Sequence, residues 1–231
     1  MKIYAFEVRD DEREYFEELS EIPGIELELH PEGLTGNAIS KLEPGCGVTV
    51  LGMYNYRRPE LDMLKERGVL CLSTRTIGYN HIDIDHARRI GLHVCNACYD
   101  PHGVADYTIM MILLCLRNYK QALWRTQVND FSLTGLMGRE LKDLTVGIVG
   151  TGQIGALGLD CIEYEEDIVH RDLRTDILSN RDMAYLRQFK NVIHTQHMAF
   201  YTDSAVKSMV HCGVRGLVEM AAGKKCATQL C

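Results

Sequence analysis

This sequence has no surplus of positive charge, no long apolar run and no repeat, and each absence removes a class of function. Lys and Arg number 25 against 32 Asp and Glu, for a net charge of −7. That balance argues against nucleic acid and against an anionic membrane surface as partners. The basic pairs Arg57-Arg58 and Arg88-Arg89 do not extend into a stripe. The longest apolar run, Ile109 to Leu116, is far short of the roughly 20 residues a membrane span needs, and it reads as a buried helix. The opening MKIYAFEVRDDERE reaches charged residues too soon for a secretory signal. Nine cysteines, an odd number without an export signal, fit free thiols in a reducing cytoplasm. What remains is ordinary globular composition, 46% hydrophobic and 25% charged over 231 residues, enough for one large domain or two small ones.

The cysteines raise one sharper possibility. His93, Cys95, Cys98 and His102 lie close together, and Cys95-Asn96-Ala97-Cys98 is a C-x-x-C. A metal or redox site would use such a group. No second C-x-x-C accompanies it. The plainer reading is a strand, GLHVCNA, running into a loop, and no metal is assigned.

The first hundred residues alternate strand and helix. Strands are expected at 2–8, 25–30, 48–53 and 68–74, and helices at 10–22 and 58–67, the latter with Pro59 in its first turn. Such alternation implies a parallel sheet covered on both faces. Residues 103–117 form a helix apolar nearly all round, hence expected to be buried. Residues 118–140 carry Trp124 and Phe131 among polar neighbours and read on their own as a surface loop with two half-buried aromatics. A polar helical stretch at 176–188, a strand at 191–195 and an amphipathic helix at 204–220 complete the chain.

The middle of the chain carries LKDLTVGIVGTGQIG, residues 141–155. A short apolar strand, Thr145 to Val149, leads into Gly150-Thr151-Gly152-Gln153-Ile154-Gly155. G-x-G-x-x-G after such a strand is the dinucleotide fingerprint. A helix, a second strand and an acidic residue for the ribose ordinarily follow. Here ALGLDCIEYEED follows instead, and Asp167 and Asp172, near the expected distance, have neither helix nor strand before them.

The flanking blocks are more specific than the fingerprint. STRTIGYNHIDID (73–85), NACYDPHGVADY (96–107), the glycine loop, LDCIEYEE (159–166) and NVIHTQHMAFYT (191–202) occur in that order. Together they resemble the D-2-hydroxyacid dehydrogenases, in particular the D-lactate and aromatic or branched D-2-hydroxyacid branch. The resemblance implies a flavodoxin-like substrate domain at 1–100 and 198–231 and a Rossmann-type nucleotide-binding domain at 101–197. It makes 118–140 a dimerisation arm and the chain a homodimer. It also locates a deletion near residues 155/156. There roughly a hundred residues, about one domain's worth, are absent, and with them most of the nucleotide-binding sheet and the block holding the catalytic arginine.

The resemblance assigns roles residue by residue. His197 matches the acid/base histidine, a role suited to imidazole because its pKa lies near working pH. Glu165, five residues after Asp160, matches the glutamate that keeps the imidazole protonated. Ile77 and Gly78 match the loop whose backbone N–H groups receive the substrate carboxylate. Tyr99 and Phe200 match residues lining the substrate pocket. Gly150, Gly152, Gln153, Ile154, Gly155 and Asp160 match the NAD contacts. His194 reads as structural. The arginine that grips the keto acid has no counterpart, and Arg75 occupies a different family position.

Two functions follow as expectations. The first is NAD-dependent reduction of a small 2-keto acid to the D-2-hydroxy acid in the cytoplasm, impaired by the missing segment. The second is a catalytically inert substrate-domain remnant that acts by binding or interaction.

Overall fold

The computed structural model describes residues 1–145, 168, 170–176, 178, 180–189 and 192–231. It divides into two compact units, Met1–Tyr99 with Thr202–Cys231, and Asp100–Tyr201.

In the first unit, strand β1 (Lys2–Ala5) runs through a 3-10 turn into helix α1 (Arg13–Ser20). Strand β2 (Glu26–Leu29), helix α2 (Gly36–Ile39), strand β3 (Gly47–Val50) and helix α3 (Arg58–Glu66) follow. Strand β4 (Cys71–Thr74), helix α4 (Ile84–Ile90) and strand β5 (His93–Cys95) complete the alternation. The sheet order is β2-β1-β3-β4-β5 and every pair is parallel. This is the flavodoxin-like winding, whose order reverses between β1 and β3.

Side chains alternate across the sheet. Tyr4, Phe6, Val48, Val50, Leu72 and Val94 share one core with Leu61, Leu64 and Ala87 of α3 and α4. The opposite face takes helix α8 (Asp203–Ala221), which packs on β3, β4 and β5. Val206, Met209, Val210, Val214 and Leu217 are its buried row. A Cβ on Gly216 would stand 2.6 Å from Cys95 Sγ, so the missing side chain there lets α8 lie close to the sheet. Thr202 begins α8 by accepting from the Ala205 N–H.

Several expected elements are shorter than their apolar runs. Strand β3 stops at Val50 because the N–H groups of Leu51, Gly52 and Met53 all turn to the Glu7 carboxylate. Strand β4 begins only at Cys71, since the Val69 N–H still serves the Leu64 carbonyl. The helix expected at 10–22 is a 3-10 turn at Asp10–Glu12 followed by α1.

The second unit contains α5 (His102–Leu116), α6 (Tyr119–Gln127) and α7 (Arg181–Leu186). The helix expected to be buried is α5, and it is not. Only Thr108 and Met111 of this helix are buried, while Ile109, Met110 and Leu113 are 55%, 42% and 44% exposed. An apolar circumference measures hydrophobicity, not the number of surfaces available to cover it. Trp124 and Phe131, expected to be half-buried, are exposed at 64% and 74%. The strand expected at 191–195 is absent over its described part, residues 192–195. No described helix is long and apolar enough to cross a membrane.

Candidate active site

Parallel sheets of this winding bind ligands beyond the carboxyl ends of their strands, and there the first unit concentrates its buried charge. Glu7 follows β1 in a left-handed conformation, φ 59°, and is 3% exposed. One carboxylate oxygen accepts from the N–H groups of Leu51, Gly52 and Met53 at 2.9, 2.6 and 2.9 Å. The other accepts from the Tyr56 hydroxyl. Burial, and then the Glu7 charge, drives the Tyr56 phenol well above its ordinary pKa. Three backbone donors and a phenol thus fix the loop after β3.

Arg75, directly after β4, is fully buried. Its Nε donates to Glu12 Oε1 at 2.9 Å and its Nη2 to Glu12 Oε2 at 3.2 Å. Nη2 also donates to the carbonyls of Phe6 and Glu7, and Nη1 to Thr49 Oγ1. The guanidinium lies over the Phe16 ring, 5.3 Å from its centroid. Its donors are turned inward to protein acceptors, so Arg75 offers no free guanidinium to a substrate.

The next loop has a different character. Ile77 is 45% exposed, and a Cβ on Gly78 would meet nothing within 4 Å. The Ala97 N–H donates to the Thr76 carbonyl at 3.0 Å, and Asn96 Nδ2 to the Ile77 carbonyl at 2.8 Å. In a trans peptide the C=O and the following N–H point in opposite directions. Holding those two carbonyls therefore aims the N–H groups of Ile77 and Gly78 away from residues 96 and 97. Among the described residues neither N–H has an acceptor. Two adjacent donors, exposed and oriented, suit a carboxylate.

His81 closes the loop. Its Nε2 sits 3.0 Å from Thr74 Oγ1, and its carbonyl accepts from Tyr56 N–H at 2.7 Å. Gly52, at φ 97°, leaves room for the ring: a Cβ there would come within 2.9 Å of it. Burial, and secondarily Arg57, lowers the His81 pKa to about 4, so the ring is neutral at ordinary pH. Tyr99 lies on the strand of chain beyond Ala97 and Cys98 and is half-buried, which raises its phenol pKa.

In the second unit, His197 adopts φ 56°. Its carbonyl is 3.3 Å from His170 Nε2, and the two rings lie 6.4 Å apart. Phe200 stands 6.1 Å from the same His170 ring. His170 therefore joins two expected site residues, and nothing in its sequence setting marks it. His194 buries its Nε2 without a hydrogen-bond partner among the described residues. Glu165, Asp160 and the glycine loop residues Gly150, Gly152, Gln153, Ile154 and Gly155 lie outside the described residues. Among the described residues no group of three or more His, Cys, Asp or Glu is placed to hold a metal ion.

Glu7, Glu12, Tyr56 and His81 were not expected at the site. The partners of Glu7, Glu12 and Tyr56 are far away in sequence: 49 residues separate Tyr56 from Glu7 and 63 separate Arg75 from Glu12.

The sequence and the fold both find relatives. A family profile described as D-isomer specific 2-hydroxyacid dehydrogenase, catalytic domain, matches residues 3–230. The aromatic 2-oxoacid reductase of Clostridium sporogenes is 27% identical over 328 residues, with 99% of each chain covered. The D-lactate dehydrogenase of Escherichia coli is 34% identical over 157 residues, 67% of this chain and 47% of that one. Among solved structures, the D-isomer specific 2-hydroxyacid dehydrogenase of Lactobacillus delbrueckii ssp. bulgaricus, in its NAD complexed form, matches with a TM-score of 0.75. Identity there is 18% over 99% of each chain, so that likeness concerns the fold alone. The reductase alignment runs over 328 residues against 231 here. With both ends matched, the shortfall is internal and amounts to about one small domain.

Proposed function

The chain belongs to the D-isomer specific 2-hydroxyacid dehydrogenases, and from that premise we propose that its first unit binds a small 2-oxo acid by the backbone of Ile77 and Gly78. The observation that carries this reading is the pair of adjacent N–H groups without a protein acceptor among the described residues, aimed away from the Asn96 and Ala97 that hold the loop. A carboxylate accepting both would be positioned without any charged side chain. Tyr99 would then line the pocket.

The family activity is reduction of the 2-oxo acid to the D-2-hydroxy acid. In this reading His197 donates the proton to the carbonyl oxygen, and Glu165 keeps the imidazole charged for that step. NAD, which supplies the hydride when bound, would be held by Gly150, Gly152, Gln153, Ile154, Gly155 and Asp160. The forked arginine that would orient the substrate is missing, and Arg75 is committed to Glu12. The proposal is therefore a site that recognises 2-oxo acids but turns them over poorly.

A second reading has its own support. The exposed Ile109, Met110 and Leu113 on α5 and Trp124 on α6 form apolar surface on the second unit, consistent with a dimerisation arm or with an interaction role that needs no catalysis.

The test is titration of the chain with pyruvate and with phenylpyruvate, followed by amide chemical shifts. The expected result is saturable movement of the Ile77 and Gly78 amides. Gly78→Val has room for its side chain within the loop, so it should fold normally yet weaken binding at least about tenfold. Binding unchanged in that variant would place the carboxylate elsewhere.

A further inference from the structure

The C-x-x-C pairs two cysteines in sequence that the fold separates. Cys95 is buried, and a Cβ on Gly216 of α8 would touch its sulfur and that of Cys226 together. Cys98 instead faces outward, with its Sγ 2.8 Å from the Sγ of Cys212 on α8. Non-bonded heavy atoms ordinarily rest at roughly 3.5–4.0 Å, and a disulfide bond is about 2.05 Å long. The two sulfurs therefore stand inside ordinary contact and need only a small closing movement. Ser208 Oγ donates to the Cys98 carbonyl at 2.9 Å, and Cys212 Sγ lies 3.5 Å from it. These contacts seat the loop on α8 before any bond forms. Cys46, Cys71, Cys95 and Cys226 are buried, which leaves Cys98 as the exposed thiol among the described residues.

We propose that Cys98 and Cys212 form a reversible disulfide by exchange with a small-molecule disulfide of the glutathione class. The thiolate of one cysteine, formed by loss of its proton, attacks a sulfur of the small disulfide. One glutathione leaves as thiolate and takes up a proton, and a mixed disulfide remains. The thiolate of the second cysteine then attacks the protein sulfur of that mixed bond. The second glutathione leaves, and the Sγ–Sγ bond forms. Two protein thiols are oxidised, and one glutathione disulfide is reduced to two thiols.

The position gives the bond a consequence. Its partners are 114 residues apart, and the ring they close contains the whole second unit. The chain would be covalently joined just before it leaves the first unit and just after it returns. The bridge would also pin the residue preceding Tyr99. The bond itself does not depend on the dehydrogenase reading.

The experiment starts from fully reduced chain treated with glutathione disulfide, blocked with N-ethylmaleimide and mapped by mass spectrometry. Before blocking, the expected product is two hydrogens lighter than the reduced chain; after blocking it carries two fewer maleimide adducts than blocked reduced chain and yields one linked peptide pair containing Cys98 and Cys212. Cys98→Ser and Cys212→Ser should each lose that pair. Protease cleavage within residues 100–201 should leave oxidised chain as one species without reductant and two species with it. A persistent glutathione adduct on Cys98, a Cys95–Cys98 bond or a disulfide between two chains would each overturn the proposal. The peptide map of the unaltered chain decides the matter even if a variant fails to fold.

Discussion

His81 is neutral in the folded chain because burial, aided by Arg57, lowers its pKa from 6.5 to about 4. Unfolding returns the ring to water and to its ordinary value. Between those two pH values the unfolded chain therefore binds more protons than the folded one, and stability falls as pH falls. The contribution is complete above about pH 6.5 and gone below about pH 4, and its full size is roughly 3 kcal/mol. His81→Gln can still hydrogen-bond Thr74 but has no charge to acquire. Urea midpoints of both proteins at pH 7 and pH 4.5 should converge toward the acid end, with the unaltered chain losing more. Parallel loss in the two would remove His81 from the account. Asp83 and Glu32, whose carboxyls lie below their usual range through hydrogen bonds to backbone N–H groups, act in both proteins and cancel in the comparison. This cluster was not legible in the sequence. Arg75 sits inside a recognisable loop motif, yet its burial is decided by Glu12, Phe6 and Thr49, which only the folded sheet brings near. Ile77 and Gly78 could be named as candidates from the motif. The orientation of their N–H groups could not, because it is set by Asn96 and Ala97 on the neighbouring loop.

Helix α8 shows how close packing can override helix propensity. Gly216→Ala should on propensity alone stabilise a helix interior by up to about 1 kcal/mol. The new Cβ would lie 2.6 Å from Cys95 Sγ and 3.2 Å from Cys226 Sγ, both on buried residues. Overpacking of this kind costs about 1–3 kcal/mol, so the expected net effect is destabilisation. Adding Cys95→Ala should recover the loss, and the non-additivity of the double variant isolates the contact. A Gly216→Ala protein more stable than the parent would mean that α8 stands off the sheet. The elements themselves were largely readable. Alternating strands and helices pointed to a parallel sheet and 204–220 to α8, because hydrophobic period and caps are local signals; the flavodoxin-like winding came from the family resemblance. Element ends were less readable: Glu7 takes the N–H groups that would have continued β3. The exposed face of α5 was misjudged for a related reason, since hydrophobicity is local and coverage is not.

At the scale of the whole molecule, the decisive fact is a difference in length. The Clostridium reductase aligns over 328 residues with 231 here, end to end. In a two-domain dehydrogenase the substrate side chains and the nucleotide side must be held in register, and a misplacement of about 1 Å can cost about a hundredfold. In the proposed reading this chain keeps the residues that match the acid/base histidine and the carboxylate loop but not the arginine, nor the stretch expected to carry most of the nucleotide-binding sheet. The expectation is NADH oxidation with pyruvate or phenylpyruvate at least about a hundredfold slower, in kcat/KM, than that of a full-length relative assayed beside it. Binding of the 2-oxo acid to the Ile77–Gly78 loop should persist, because that loop is built wholly within the first unit. Any residual turnover should vanish in His197→Ala while the loop amides still respond to ligand. Two measurements on one preparation thus separate recognition from chemistry. Turnover within about tenfold of the relative, abolished by His197→Ala, would mean that another group does the work of the missing arginine.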